Sequence, residues 1–495
     1  MNSPASAKSA RRVLLALAAM TGIFSTVGCG NGNQFVPPLS GGFTTSSLSG
    51  QYVMTQTGTA VNQALTSADP FSEVTVFTAD GKGNLNILVD DFDQDGAQLL
   101  PTLPESGTYS INKDGTGMLA FGGSNYAITL IDDGHFYLIE EDQFATSSGY
   151  GQKQDTTAFT AAPSGSFVFK AHNVGTSSRV GGIAIIGGVI VGTEDFLSLG
   201  VLSANQVVTS SIPMSPPSAT TGRGTFALND GSSFGYYIMN SGEFYFMSNS
   251  TSLEIGQAQV QTFPGSGFSV ATLANNTSYV FGSSGDTIVG GPAGIHSAGV
   301  FTTDGAGDIV AGGAVDYVQD TTVNGNLAVT GGSYSLVASG RGQVNLTLAG
   351  GSISPQIFWM INGSSAYFLA NDTAAVEDGS FSLQQASPTL SGQAAFVMDG
   401  FDSTLKDRVG DLETTSSSAF NWDQTANAFL PSSGSGQVST LGTNGTYTVS
   451  SNGRVAVAVN GVTPSVVFYL SSANSGFMVQ EDANIGGVFA AQASQ

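Results

Sequence analysis

Asp91, Asp93 and Asp95 stand at alternate positions ahead of Gly96, so the stretch D-x-D-x-D-G opens like a calcium-binding loop. Alternating carboxylates before a glycine turn suit a hard cation that takes oxygen ligands. The EF-hand comparison fails further on. Leu99 and Thr102 stand at loop positions nine and twelve, and the latter should be a bidentate Glu. A solvated acidic turn is therefore the simpler expectation, and Ca2+ is the one cofactor these residues suggest. Glu140, Glu141 and Asp142, echoed by Glu481 and Asp482, form a second acidic group. Paired carboxylates could hydrolyse glycosides, but neighbours on a strand point to opposite faces, so charges that protect strand ends are expected instead. His135, His172 and His296 have no second His or Cys at metal-ligand spacing. No P-loop or His-Glu-x-x-His stretch occurs. Trp359 and Trp422 could line a barrel mouth and stack on a sugar or an apolar ligand. No catalytic residue is nominated, and the chain reads as a non-enzyme.

These residues need a scaffold, and the composition says which kind. Of 495 residues, 10% are charged, 41% are hydrophobic and 66 are Gly. Disorder needs the opposite balance, so this is a folded, turn-rich β composition. The formal charge of −23 leaves no basic stripe for nucleic acid. The length calls for several domains.

The first residues carry an address. Lys8, Arg11 and Arg12 precede an apolar run from Val13 to Phe24, too short to span a bilayer and of signal-peptide size. Thr26-Val27-Gly28-Cys29 follows, with the only Cys of the chain. It resembles the bacterial lipobox, in which a small residue precedes a Cys that is diacylated and becomes the new N-terminus. That resemblance implies a signal peptide over 1–28, lipidation (palmitate included) at Cys29 and a membrane partner through the acyl chains. Gly30 in place of Asp leans, by the same resemblance, towards the outer membrane or cell surface. A secreted protein with an unmodified Cys is the alternative. The mature chain then has no disulfide and keeps 10 cations against 36 acids. Residues 29–46, rich in Gly, Pro and Ser, read as a tether.

Self-comparison divides the rest. Ser49-Gly50-Gln51-Tyr52, Ser164-Gly165-Ser166-Phe167, Thr277-Ser278-Tyr279 and Ser391-Gly392-Gln393-Ala394 open four units. Their bounds are 47–160, 161–264, 265–387 and 388–495. Within them, Phe77-Thr78-Ala79-Asp80-Gly81 matches Phe301-Thr302-Thr303-Asp304-Gly305. Gly107-Thr108-Tyr109 matches Gly332-Ser333-Tyr334 and Gly445-Thr446-Tyr447. Gly115-Thr116-Gly117 matches Gly222-Arg223-Gly224, Gly340-Arg341-Gly342 and Asn452-Gly453-Arg454. Each unit closes on a Gln, taken as Gln152, Gln257, Gln384 and Gln492. Alternating runs broken by Asp-Gly turns give about eight strands per unit, joined as sequential hairpins. The fold class expected is all-β: four tandem antiparallel up-and-down barrel-like modules, lipocalin- or avidin-like in architecture, with β-sandwich modules as the alternative.

Function is less legible than architecture. Repeated modules without a reactive centre, strung behind an anchor, suit a lipid-anchored envelope protein of binding, adhesion or structural type. A glycan, an envelope polymer or another protein would be its partner. A carrier holding small apolar molecules inside the barrels is the alternative, which cavity volume separates from the first. A carbohydrate-active enzyme is the remote one.

Overall fold

A computed structural model describes residues 42–493 except 62–67, 100–103, 143, 174–175, 251, 266, 289–293, 320–321, 352, 403, 431–434 and 460–461. The signal segment, Cys29 and the tether as far as residue 41 lie outside the described residues.

Each unit is an eight-stranded antiparallel meander closed by pairing its first strand with its last. In module one, Ser49–Val61 pairs with both Ala68–Asp80 and Ala145–Lys153. Pairing of the second strand with the third, Asn84–Gln94, completes that circle, and Ala97–Leu99 adds a small hairpin outside it. The other first strands are Gly165–Asn173, Thr277–Thr287 and Gln393–Asp402. Closure removes the edges of the barrel strands themselves, the usual liability of all-β proteins.

The repeated words have local causes. Asp80 and Asp304 accept backbone N–H groups from the turns after them, Lys82 and Asn84 in one, Ala306 to Asp308 in the other. Gly81 and Gly305 there have φ of 73° and 76°, which a side chain would strain. The Gly-Thr-Tyr words place a tyrosine hydroxyl against the segment that enters each barrel. Tyr109 donates to Leu48 O (2.6 Å), Tyr334 to Leu273 O (3.2 Å) and Tyr447 to Leu390 O (3.2 Å). Module two lost this word, and Tyr236 from another strand donates to Ser215 O at 2.6 Å instead.

Eight strands leave an interior that side chains can fill, and here they do. Tyr52, Phe77, Phe136 and Leu138 occupy module one; Phe167, Phe226, Phe234 and Phe246 occupy module two. Modules three and four are filled in the same way around Phe281, Phe301 and Phe368, and around Phe396, Trp422 and Phe468.

Residues pointing out of the barrels are buried too, because the modules pack side by side. Val53, Val76 and Val89 of module one meet Tyr237, Met239 and Tyr245 of module two. Val168, Val180 and Leu197 of module two meet Ile357, Trp359 and Leu369 of module three. Val280, Val300 and Ala314 of module three meet Val467, Tyr469 and Val479 of module four. Ala395 and Val409 of module four return to Ala127, Tyr137 and Ile139 of module one. Strands one to three of each barrel thus face strands six and seven of the next, and the four seams close a ring. At one seam Gly182 lies under the Trp359 ring, where a Cβ would come within 2.5 Å of Cζ3.

Two polar devices repeat around the ring. The first is a glutamine after each closing strand, whose side-chain amide donates to two backbone carbonyls of the next module. Gln154 reaches Thr221 O and Ile238 O, and Gln261 reaches Ser339 O and Met360 O. Gln384 reaches Asn452 O and Leu470 O, and Gln492 reaches Asp114 O and Leu130 O of module one. The expected residues hold in modules three and four. In modules one and two the hook is Gln154 and Gln261, just past the strand, whereas Gln152 and Gln257 lie within it.

The second device is an arginine paired with an aspartate of the preceding module. Arg223 Nε lies 2.6 Å from Asp91 Oδ2, and Tyr237 donates its hydroxyl to the same carboxylate. Arg341 grips Asp195 with bonds of 2.7 and 2.8 Å while Trp359 Nε1 donates to it at 2.9 Å. Arg454 grips Asp316 with two bonds of 2.7 Å, and the Tyr469 hydroxyl donates to it as well. A bidentate guanidinium fixes both distance and angle between the barrels. Removing one member of a buried pair strands the other charge. Arg454→Met should therefore cost about 3–5 kcal/mol of unfolding free energy in denaturant titration; a loss below about 1 kcal/mol, the worth of a surface pair, would contradict a load on this contact.

Candidate ligand cavity at the centre of the ring

A ring of four barrels leaves space between them. A cavity of about 760 Å³ is lined by residues of all four modules, among them Tyr137, Tyr150, His172, Glu243, Ser380 and Phe477. Its wall comes mainly from first, seventh and eighth strands, so strand register sets which side chains meet there. Tyr150, Gln257, Ser380 and Val488 occupy one equivalent position in the four modules, opposite Thr55, Lys170, Gly282 and Val397. The repeat is therefore broken chemically. Modules one and two present Tyr, Gln, Lys and His, whereas modules three and four present Ser, Gly, Val and Phe477.

The polar side is a connected network. Tyr245 donates to Gln152 Oε1 at 2.7 Å, Gln152 donates to Glu243 Oε2 at 2.9 Å, and Gln259 donates to Glu243 Oε1 at 3.1 Å. His135 Nδ1 sits 2.9 Å from Asp132, which raises the imidazole pKa, and its ring stacks on Tyr150 at 6.0 Å. Burial pushes the Tyr150 and Tyr245 hydroxyls well above their usual range, so both stay protonated donors. Lys170 pairs with Asp378 at 3.3 Å and lies over the Tyr367 ring. Burial lowers the pKa of His172. Such a wall can orient a polar ligand by amides, hydroxyls and ring faces.

Where the modules meet, other titrating groups are buried. Asp399 is pushed up to about 6 and Asp407 up to about 8, each chiefly by desolvation. Asp407 accepts a bond from Thr146 across the fourth seam. His296 is driven down to about 4 by burial. Glu481 shares Arg454 with Asp316; desolvation pushes Glu481 up, while Asp316 keeps the guanidinium and its charge.

The sequence-nominated residues lie elsewhere. Asp91 is committed to Arg223 and Tyr237 at the first seam. Asp93 is wholly buried, its carboxyl pushed up to about 6 by desolvation, and Asp95 sits in the following turn with φ 50°. Their carboxylates do not gather as a cation site: the one cluster of that kind among the described residues is Asp114, Asp411 and Asp423. Neither Trp lines a mouth. Trp359 fills the seam between modules two and three, and Trp422 packs inside barrel four against Phe396, both 2% exposed. Glu140 and Asp142 are not exposed strand-end charges but lie buried, their backbone carbonyls accepting from Asn427 of module four. Two of the three histidines, unremarkable by spacing, line the central cavity. No protein-family model and no curated protein sequence matches this chain.

The buried acids fix a pH dependence. A carboxyl raised in the fold favours the native state below its unfolded pKa near 4, and that contribution disappears as pH rises through the folded value. For Asp399, Asp407 and Glu481 the loss runs up to about pH 8. His296, depressed to about 4, acts oppositely and withdraws stability only as pH falls below its unfolded value near 6.5. The melting temperature should thus rise by a few degrees from pH 8 to pH 6.5, and Asp407→Asn should flatten that rise. A melting temperature that falls over this interval would contradict the burial of these acids.

Proposed function

We propose that this is a lipid-anchored, non-catalytic binding protein of the bacterial cell envelope, whose ligand sits in the open cavity lined by all four barrels. The observation that carries the binding role is the lopsided lining of that cavity. A spacer or purely structural ring has no use for Tyr150, Gln257, Lys170 and His172 on one side against Ser380, Val488 and Val397 on the other. Aromatic faces beside planar amides and a carboxylate suit a hydroxyl-rich molecule such as a glycan fragment. The barrel interiors favour this over an apolar carrier. They are packed with aromatic rings, and the cavity inside module two measures about 30 Å³, room for a water or two. Anchoring rests on Cys29 behind its apolar segment, since two acyl chains hold a protein durably at a membrane. The outer membrane or cell surface is the proposed residence.

One preparation tests both parts. Cys29→Ser should move the chain from the membrane fraction to the soluble fraction. That soluble chain, titrated with oligosaccharides including peptidoglycan fragments and with fatty acids, should bind an oligosaccharide. Tyr150→Ala should weaken that binding about tenfold, the worth of one stacked ring. Retention of Cys29→Ser in the membrane would defeat the anchor, and binding of fatty acids alone would favour the carrier.

A further inference from the structure

Among the described residues, three seams of the ring carry an arginine paired with an aspartate, and the fourth does not. The position held by Arg223, Arg341 and Arg454 is Thr116 in module one, and the aromatic opposite (Tyr237, Trp359, Tyr469) is Thr129. The aspartate position (Asp91, Asp195, Asp316) is Thr425 in module four. All three members of the arginine device are thus replaced together, at the seam where the chain's last module meets its first.

The carboxylates at this seam move rather than vanish. Strands two and three carry the cross-strand pairs Val76–Val89, Gly182–Thr193 and Val300–Ala314 in the first three modules. In module four the pair is Asp411–Asp423. Asp114 of module one joins them, and one oxygen from each of the three lies within 4.8 Å of the others. Asp114, Asp423 and Glu413, all acids, bear on Asp411. Asp411 is 2% exposed, and its Oδ1 has no hydrogen-bond partner. Beside the cluster, where the large side chains of the other seams would lie, is a cavity of about 460 Å³ lined by Thr116, Thr129, Asp423 and Thr425. The Thr129 hydroxyl, fully buried on that wall, also has no partner.

We propose that the fourth seam binds a calcium ion through the carboxylates of Asp114, Asp411 and Asp423, with water from the adjoining cavity completing its shell. The ion takes the place of the arginine that ties the other seams, and so closes the ring. The donor set is all oxygen, with neither His nor Cys, which selects a hard cation over a transition metal. Three carboxylates from two modules and a roomy, hydrated flank suit the larger, more loosely coordinated Ca2+ over Mg2+, which demands a tight octahedron. The site is distinct from the Asp91 loop, whose first carboxylate already holds an arginine.

Calorimetry and thermal unfolding of the mature chain, with CaCl2, MgCl2 or EDTA, test this. Ca2+ should bind with a dissociation constant of about 0.1–1 mM, as in extracellular calcium modules, and raise the melting temperature over that in EDTA. The double variant Asp411→Val with Asp423→Ala restores the residues that module three holds at these positions. It should melt higher in EDTA than the parent does and lose the response to Ca2+. Asp423→Asn, a smaller change, should weaken Ca2+ binding about tenfold. Absence of heat and of any thermal shift in the parent up to about 10 mM Ca2+, well above the weakest such modules, would overturn the proposal. An undiminished response in the double variant, or an equal response to Mg2+, would also overturn it.

Discussion

In modules two and three the sixth strand is buried on both faces. Ser233–Asn240 sends Phe234, Tyr236 and Ile238 into its own barrel and Tyr237 and Met239 into the neighbour. Gln356–Asn362 does the same with Phe358 and Met360 inside and Ile357, Trp359 and Ile361 outside. A closed barrel with one greasy outer stripe cannot stand alone in water at low cost. Packing that stripe on the next barrel's first strands removes it from solvent, and four repetitions with constant turn bring the chain back to its start. The ring follows from the double burial of one strand, and the central cavity follows from the ring.

Apolar stripes alone would let barrels slide along one another. The glutamine hooks and the arginine–aspartate grips fix the slide, because each satisfies buried carbonyls or charges at one register only. The two devices divide the task differently around the ring. The hooks occur at all four seams, including the return from Gln492 to module one. The grips occur at three, and the exception coincides with Thr129, where the other sixth strands carry Tyr237, Trp359 and Tyr469. A seam formed by the two ends of the chain gains least from covalent proximity, and there the polar chemistry changes from an internal cation to a cluster of acids.

Much of this was legible in the chain itself. Four all-β modules, their eight-stranded barrels and the hairpin turns followed from alternation, Asp-Gly pairs and recurring words. The matched Gly-Arg-Gly words were visible, and so was the acidic loop around Asp91. What a single sequence hides is that these two signals belong together. Arg223 and Asp91 are 132 residues apart and Arg454 and Asp316 138, always in adjacent modules. The same acidic word therefore suggested a cation loop when its partner was a distant guanidinium. The uninterrupted apolar runs Tyr236 to Met239 and Ile357 to Ile361 were the available signal. Four or five successive apolar residues in a strand mean two buried faces, and a lone barrel offers only one. The cavity residues left no trace because Tyr150, His172 and Glu243 become neighbours only when the ring closes.

Closure is the claim on which the cavity and the calcium seam both stand, and small-angle X-ray scattering of the monomeric mature chain addresses it most directly. A closed ring of four barrels predicts a radius of gyration of about 25 Å, close to the compact limit for this length. Four barrels strung in a row would give roughly 40 Å, from the size of one compact module repeated along a line, and that result would contradict the account.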